Sequence, residues 1–237
     1  MDERIEETSP RLKARIAGAF YLAVILLGVF AELFARGSII ISGDAAATAR
    51  NIVAHEPLWR LGLAADLVAG ACYAAVTVLL YELLKPVNRS LSLLAAVFSF
   101  VGVSVGAVSD LIQIAPLVVL SGAPYTAAFR PDQLQALAYM AVRLHGQGYL
   151  VGLAFFGFYC LLLGWLIFRS RFLPRIVGAL MAIAGASYLI NSFAGFLAPS
   201  LHLYPYILAP PLLGEGSLTL WLLAVGVNAA RWRERAA

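Results

Sequence analysis

Long apolar runs broken by short polar ones set the pattern of this chain. Six segments, roughly residues 15–35, 59–84, 91–115, 147–168, 174–198 and 206–229, are apolar enough to cross a membrane as helices. About 20 largely apolar residues span a hydrocarbon core of about 30 Å. Turn chemistry separates the segments: Lys85-Pro86-Val87-Asn88-Arg89 in one place, Arg169-Ser170-Arg171 before Pro174 in another, and Pro199 and Pro205 around the fifth connection. The pattern predicts an all-α, polytopic integral membrane protein, a bundle of six transmembrane helices. It gives a tail over residues 1–14, a transmembrane domain over 15–230 and a second tail over 231–237. No hydrophilic stretch is long enough for a separate soluble domain.

Two connections are longer than a turn requires. In residues 37–58, Ser42-Gly43-Asp44 precedes Ala45-Ala46-Ala47-Thr48-Ala49, and an aspartate ahead of an alanine run marks a helix start. Residues 130–145 open on Arg130-Pro131-Asp132, with proline suited to the first helical position. Leu134, Leu137, Tyr139, Met140 and Leu144 would then lie along the membrane interface, or pack over the mouth of the bundle. Each connection is expected to carry a short helix of its own.

Composition removes the soluble alternatives. The 237 residues are 62% hydrophobic and 13% charged, about half the charge a soluble domain carries. The net charge of +4 would suit a nucleic acid, but its distribution follows the positive-inside bias of membrane proteins. No nucleic-acid partner is expected; the partner is the lipid bilayer. With the amino terminus inside, 12 of the 17 lysines and arginines, from Arg4 to Arg235, fall on the cytoplasmic side, against Arg36, Arg50, Arg60, Arg130 and Arg143 outside. That places both termini in the cytoplasm, in a bacterial inner (plasma) membrane. The first segment is too long for a signal-peptide core and reads as a retained helix.

An ionisable group inside an apolar run is costly and points to function. The chain has Glu32 and Arg36 in the first helix, Arg60 and Asp66 in the second, Asp110 and Gln113 in the third, Arg143, His145 and Gln147 at the entry to the fourth, Asn191 in the fifth and Glu215 in the sixth. At 1.5 Å per residue all fall in the outer half of the bundle. Helical spacing puts them on stripes with small residues: Gly18, Tyr21, Gly28, Glu32, Arg36; then Gly62, Asp66, Gly70, Tyr73, Thr77; then Ser99, Gly102, Gly106, Asp110, Gln113; and His145, Tyr149, Gly152, Tyr159. Small residues let helices approach closely, so the stripes are expected to meet. Asp66 and Asp110 would share a proton unless Arg60, Arg143 or a cation neutralises them.

Such a cluster admits three functions. It forms a polar pocket that binds or transports a small solute, a cation or a lipid headgroup; or one carboxylate serves an intramembrane enzyme as general acid or base; or the cluster fixes helix register in a structural or accessory subunit. Motifs weigh against an enzyme: GxSxG, HExxH and a phosphate-binding glycine loop are absent, leaving only Ser109 beside Asp110 and Ser217 near Glu215 as nucleophile candidates. No metal or other cofactor is expected, because His145 alone stands near the acids while His55 and His202 lie in loops. Cys72 and Cys160 are too few for a disulfide framework. The sequence leaves the oligomeric state open.

A weak internal repeat pairs Arg15-Ile16-Ala17-Gly18-Ala19 with Arg175-Ile176-Val177-Gly178-Ala179. Several other short motifs stand out: Gly43-Asp44-Ala45-Ala46-Ala47, Arg60-Leu61-Gly62 with Asp66, Lys85-Pro86-Val87-Asn88, Arg143-Leu144-His145-Gly146, and Phe168-Arg169-Ser170-Arg171-Phe172-Leu173-Pro174-Arg175. Together they make the chain resemble a bacterial six-helix membrane family catalogued as domain of unknown function 4386, over most of residues 15–228. The resemblance implies the six-helix fold and carries no catalytic role. This chain departs from the family pattern at two positions: Tyr159 stands where the resemblance implies histidine, and Asn191 where it implies aspartate.

Overall fold

A computed structural model describes residues 9–201 and 206–236. Arg4, His202 and Pro205 lie outside the described residues. The described chain is helical throughout, with no strand. Its main helices are α1 (Pro10–Ile39), α2 (Ala45–Ala54), α3 (Glu56–Leu84), α4 (Arg89–Val119, with a break after Ile112), α5 (Pro131–Ser170), α6 (Arg175–Leu197), α7 (Ala209–Ala224) and α8 (Ala229–Ala236). Helices α1, α3, α4, α5 and α6 are each long and apolar enough to cross a membrane. A sixth span requires α7 and α8 together, and these are bent by 101°. Leu33, Phe34, Leu67, Val108, Leu111 and Leu220 are all more than half exposed, which suits lipid as the solvent.

Local chemistry accounts for the boundaries. Pro10 and Pro131 occupy first turns, where a missing N–H costs nothing. Asp44 caps α2, accepting from the Ala47 amide at 2.8 Å, as its position before the alanines predicts. Asn88 caps α4 through the Leu91 amide at 2.9 Å, so Lys85-Pro86-Val87-Asn88 is both a turn and a helix start. Gly226, with φ of +73°, ends α7 in the left-handed conformation glycine adopts freely.

One boundary differs from expectation. Residues 130–145 do not form a separate interfacial helix; they open α5, which runs 40 residues without a break. At 1.5 Å per residue that is about 60 Å, twice a hydrocarbon core. One glycine beside His145 is a contact point: a Cβ on Gly148 would collide with Ser109 Oγ on α4. Helix α1 carries the opposite irregularity. Phe30–Arg36 is wound as a π-helix, a feature often found where a side chain is being re-aimed. Its buried stripe passes from Ala17 and Tyr21 to Ala31, Ala35 and Ile39, and Gly62 of α3 packs on Ala35.

The chain divides into two compact units, each receiving segments of α1, α3, α4 and α5. The first comprises residues 23–71 and 103–152. Its core is Ile39, Ile52, Trp59 and Val142, with Leu58, Leu117 and Leu120 packed around them. The second comprises residues 1–22, 72–102 and 153–237. There α5 and α6 meet glycine to glycine: a Cβ on Gly164 would lie 2.6 Å from the Gly178 carbonyl oxygen, and one on Gly185 would lie 2.7 Å from that of Gly157. Gly18 and Gly178, matched in the repeat, are both contact points, Gly18 against Leu222 and Leu223 and Gly178 against Gly164 and Phe168.

Candidate functional site

In the first unit, five of the polar residues picked out from the sequence form one network. Arg36 reaches it from the π-helical segment of α1, Asp66 from α3, and Asp110 and Gln113 from α4. The Arg36 guanidinium donates to both oxygens of Asp66 and, through Nε, to Glu32 Oε2 at 2.9 Å. It also donates to Gln113 Oε1 at 3.3 Å. The Gln113 amide nitrogen donates in turn to Asp66 Oδ2 at 3.3 Å and Asp110 Oδ1 at 3.0 Å. Gln113 is 2% exposed, and its backbone carbonyl accepts from the Trp59 indole at 3.0 Å. The amide is thereby fixed between two carboxylates.

The charges are uneven. Two carboxylates, Glu32 and Asp66, share one guanidinium, and the third, Asp110, has no cationic partner among the described residues. The counter-ion of Asp66 is Arg36, not Arg60 or Arg143. Arg60 turns to Glu56, one helical turn earlier, at 2.7 Å, and both are exposed. Arg143 and Gln147 are exposed on α5. His145 is part-buried, with Nδ1 3.0 Å from the Ser109 backbone oxygen.

Asn191 and Glu215 belong to the second unit. Glu215 of α7 accepts from the Tyr188 hydroxyl of α6, and the Tyr21 hydroxyl of α1 also lies close to its carboxylate. The Tyr21 hydroxyl is 3.3 Å from that of Tyr73, whose ring packs edge-on against Phe156 and Tyr159. The Tyr159 hydroxyl is buried beside Tyr73. One carboxylate is therefore ringed by tyrosines from α1, α3, α5 and α6. Tyr21, Tyr73 and Tyr159 stood on the sequence stripes, but Tyr188 did not. Its signal is a hydroxyl inside an apolar run, which needs a partner when buried.

The stripes hold over α3 and α4, where Tyr73, Thr77, Ser99 and Gln113 are buried and Thr77 bonds Ser99 at 2.6 Å. They fail at Glu32 and Tyr149, both exposed. Neither serine considered as a nucleophile has a base: Ser109 Oγ donates to the Val105 carbonyl at 2.9 Å and Ser217 Oγ to that of Gly214 at 2.9 Å. Among the described residues no three of histidine, cysteine, aspartate and glutamate gather as a metal ion would require.

Comparison with known proteins follows the geometry. A family model described as a domain of unknown function, DUF4386, matches residues 16–226. An uncharacterised protein of the archaeon Archaeoglobus fulgidus is 29% identical over 154 residues, covering 64% of this chain and 75% of its own. No solved structure matches the chain.

Proposed function

The chain belongs to the DUF4386 family, and on that footing we propose that it binds a small cationic solute at the Arg36–Asp66–Gln113–Asp110 network and carries it across the plasma membrane. One observation carries the reading. Asp66 is compensated by Arg36, while Asp110, in the same network, has an amide for its partner and no cation among the described residues. A carboxylate inside a membrane-spanning helix is unfavourable unless a positive charge or proton joins it. Gln113 holds Asp110 in place and leaves the second carboxylate oxygen for a ligand. Arg36, fixed by two acids, supplies the repulsion that excludes a second cation.

The test uses purified protein in nanodiscs of neutral lipid, titrated with ammonium, methylammonium, sodium and potassium. We expect at least one of them to raise the melting temperature of the wild type, and Asp110→Asn to abolish that shift while remaining folded. Proteoliposome uptake of the same ion should be lost in the variant. If no cation shifts the melting point, or if Asp110→Asn responds as the wild type does, the proposal fails. Binding without uptake would leave a binding protein and remove the carrier.

A further inference from the structure

The second unit holds a basic concavity that the proposed cation site does not use. Its frame is built by the turn between α5 and α6 and by the sharply bent α8. Arg231 Nη1 donates to the Arg171 carbonyl at 3.2 Å, the Asn228 amide donates to the Phe172 carbonyl at 3.2 Å, and the Trp232 indole donates to the Leu83 carbonyl at 2.8 Å. Ser170 Oγ locks the turn, donating to the Ile167 carbonyl at 2.7 Å and accepting from the Leu173 amide at 3.2 Å.

Between these elements lies a cavity of about 750 Å³ walled by Arg171, Arg175, Arg231 and Arg235, with Glu234 its one acid. A second cavity, of about 370 Å³, shares Arg171 and Arg231 and adds Arg11, Phe172, Trp221 and Val227. Among the described residues none of the four wall arginines has a carboxylate partner: Arg231 bonds a carbonyl and Arg175 lies 5.5 Å over the Phe168 ring. Unpaired guanidinium groups facing one space repel each other unless an anion fills it. Arg171 adds a second sign. Its φ is +63°, the left-handed region that strains a residue with a Cβ and in which glycine would be free of the penalty.

We propose that this concavity binds the phosphate of an anionic phospholipid. Arginine matches phosphate oxygens with paired donors. Basic pockets among transmembrane helices are a recognised setting for anionic headgroups. A phospholipid suits the site better than free phosphate because the adjoining cavity continues from the arginines onto Phe172, Trp221 and Val227. The anionic head then meets guanidinium groups while the glycerol and first chain carbons meet the apolar wall. The turn holds Arg171 in its left-handed conformation so that its side chain joins the ring.

The experiment uses the full chain in phosphatidylcholine nanodiscs with increasing phosphatidylglycerol, read by melting temperature and by lipid retained in native mass spectrometry. Phosphatidylglycerol should stabilise the protein and remain bound, and inorganic phosphate at equal concentration should not. The triple variant Arg171→Gln/Arg175→Gln/Arg235→Gln should lose affinity on the order of a hundredfold, about fivefold per charge at the surface. Arg233→Gln, on the same helix but outside the cavity wall, should change it by less than about twofold. Arg171→Gly guards against misfolding: it removes the strain, so it should keep the lipid-free melting temperature and still weaken lipid retention. If the triple variant binds no worse than Arg233→Gln, the attraction is diffuse surface charge and the pocket is refuted. If inorganic phosphate stabilises as well as the lipid does, the lipid assignment is refuted.

Discussion

Arg36 serves two carboxylates and an amide at once, and the consequences of removing it differ from those of removing either acid. Its side chain is 12% exposed and that of Asp66 is 15%, whereas that of Glu32 is 62% exposed. Taking one partner from a buried pair leaves an uncompensated charge, at a cost on the order of 3–5 kcal/mol. An exposed pair is worth under about 1 kcal/mol. Arg36→Gln should therefore destabilise strongly, Glu32→Gln slightly, and Arg36→Gln/Asp66→Asn should recover much of the single-variant loss. A double-mutant cycle by thermal unfolding in detergent measures this, and additive losses would show that the pair is not coupled. The local half of this network was legible in the sequence, because Glu32 and Arg36 are one helical turn apart. The other half joins α1 to α3 and α4, and spacing along one helix says nothing about which of three arginines meets Asp66. Arg60 was drawn into the cluster by its depth. Its partner, Glu56, stood four residues away and was the simpler choice.

At the scale of elements, glycine proved the hardest residue to interpret from sequence. Helix boundaries set by Asp44, Asn88 and Pro174 were readable because capping and proline chemistry are local. Gly146 and Gly148 lie inside α5, where α4 approaches too closely for a Cβ at Gly148. The pairing of Gly157 with Gly185 and of Gly164 with Gly178 was likewise hidden, because each glycine is informative only against its partner. In a bilayer such close backbone contact replaces the hydrophobic drive between helices. Gly164→Val or Gly178→Val should then cost more than about 3 kcal/mol through overpacking, seen as loss of monodisperse protein in size-exclusion chromatography. Gly28, with open space around its Cβ position, provides the control. Gly28→Ala should raise helix stability by about 0.5–1 kcal/mol. Equal tolerance at Gly28 and Gly164 would mean that the α5–α6 contact does not hold the fold.

Across the whole molecule, charge and packing divide the chain at the same places. The sequence assigned twelve basic residues to one side of the membrane and five to the other. Grouping by contact takes no account of charge. Even so, it puts Arg36, Arg50, Arg60, Arg130 and Arg143 in the first unit and, Arg4 aside, all the remaining lysines and arginines in the second. A chain threaded repeatedly through a bilayer with an inward excess of arginine would produce this partition. The turns richest in arginine, Arg169 to Arg175 and Arg231 to Arg235, should therefore be cytoplasmic, and α2 with its Asp44 cap external. Single cysteines in a background lacking Cys72 and Cys160 give the test. Ser90 and Ala236 are exposed in the second unit and Ser42 in the first, and all three suit labelling. Ser170, in a basic turn, does not, being 1% exposed and hydrogen-bonded at its hydroxyl. A membrane-impermeant maleimide applied to intact cells should modify Ser42→Cys and leave Ser90→Cys and Ala236→Cys until the membrane is opened. Modification of Ser90→Cys from outside would invert the protein. Labelling of Ala236→Cys from outside, with Ser90→Cys protected, would mean that α7 and α8 do not complete a sixth crossing and that the chain ends after an odd number of spans.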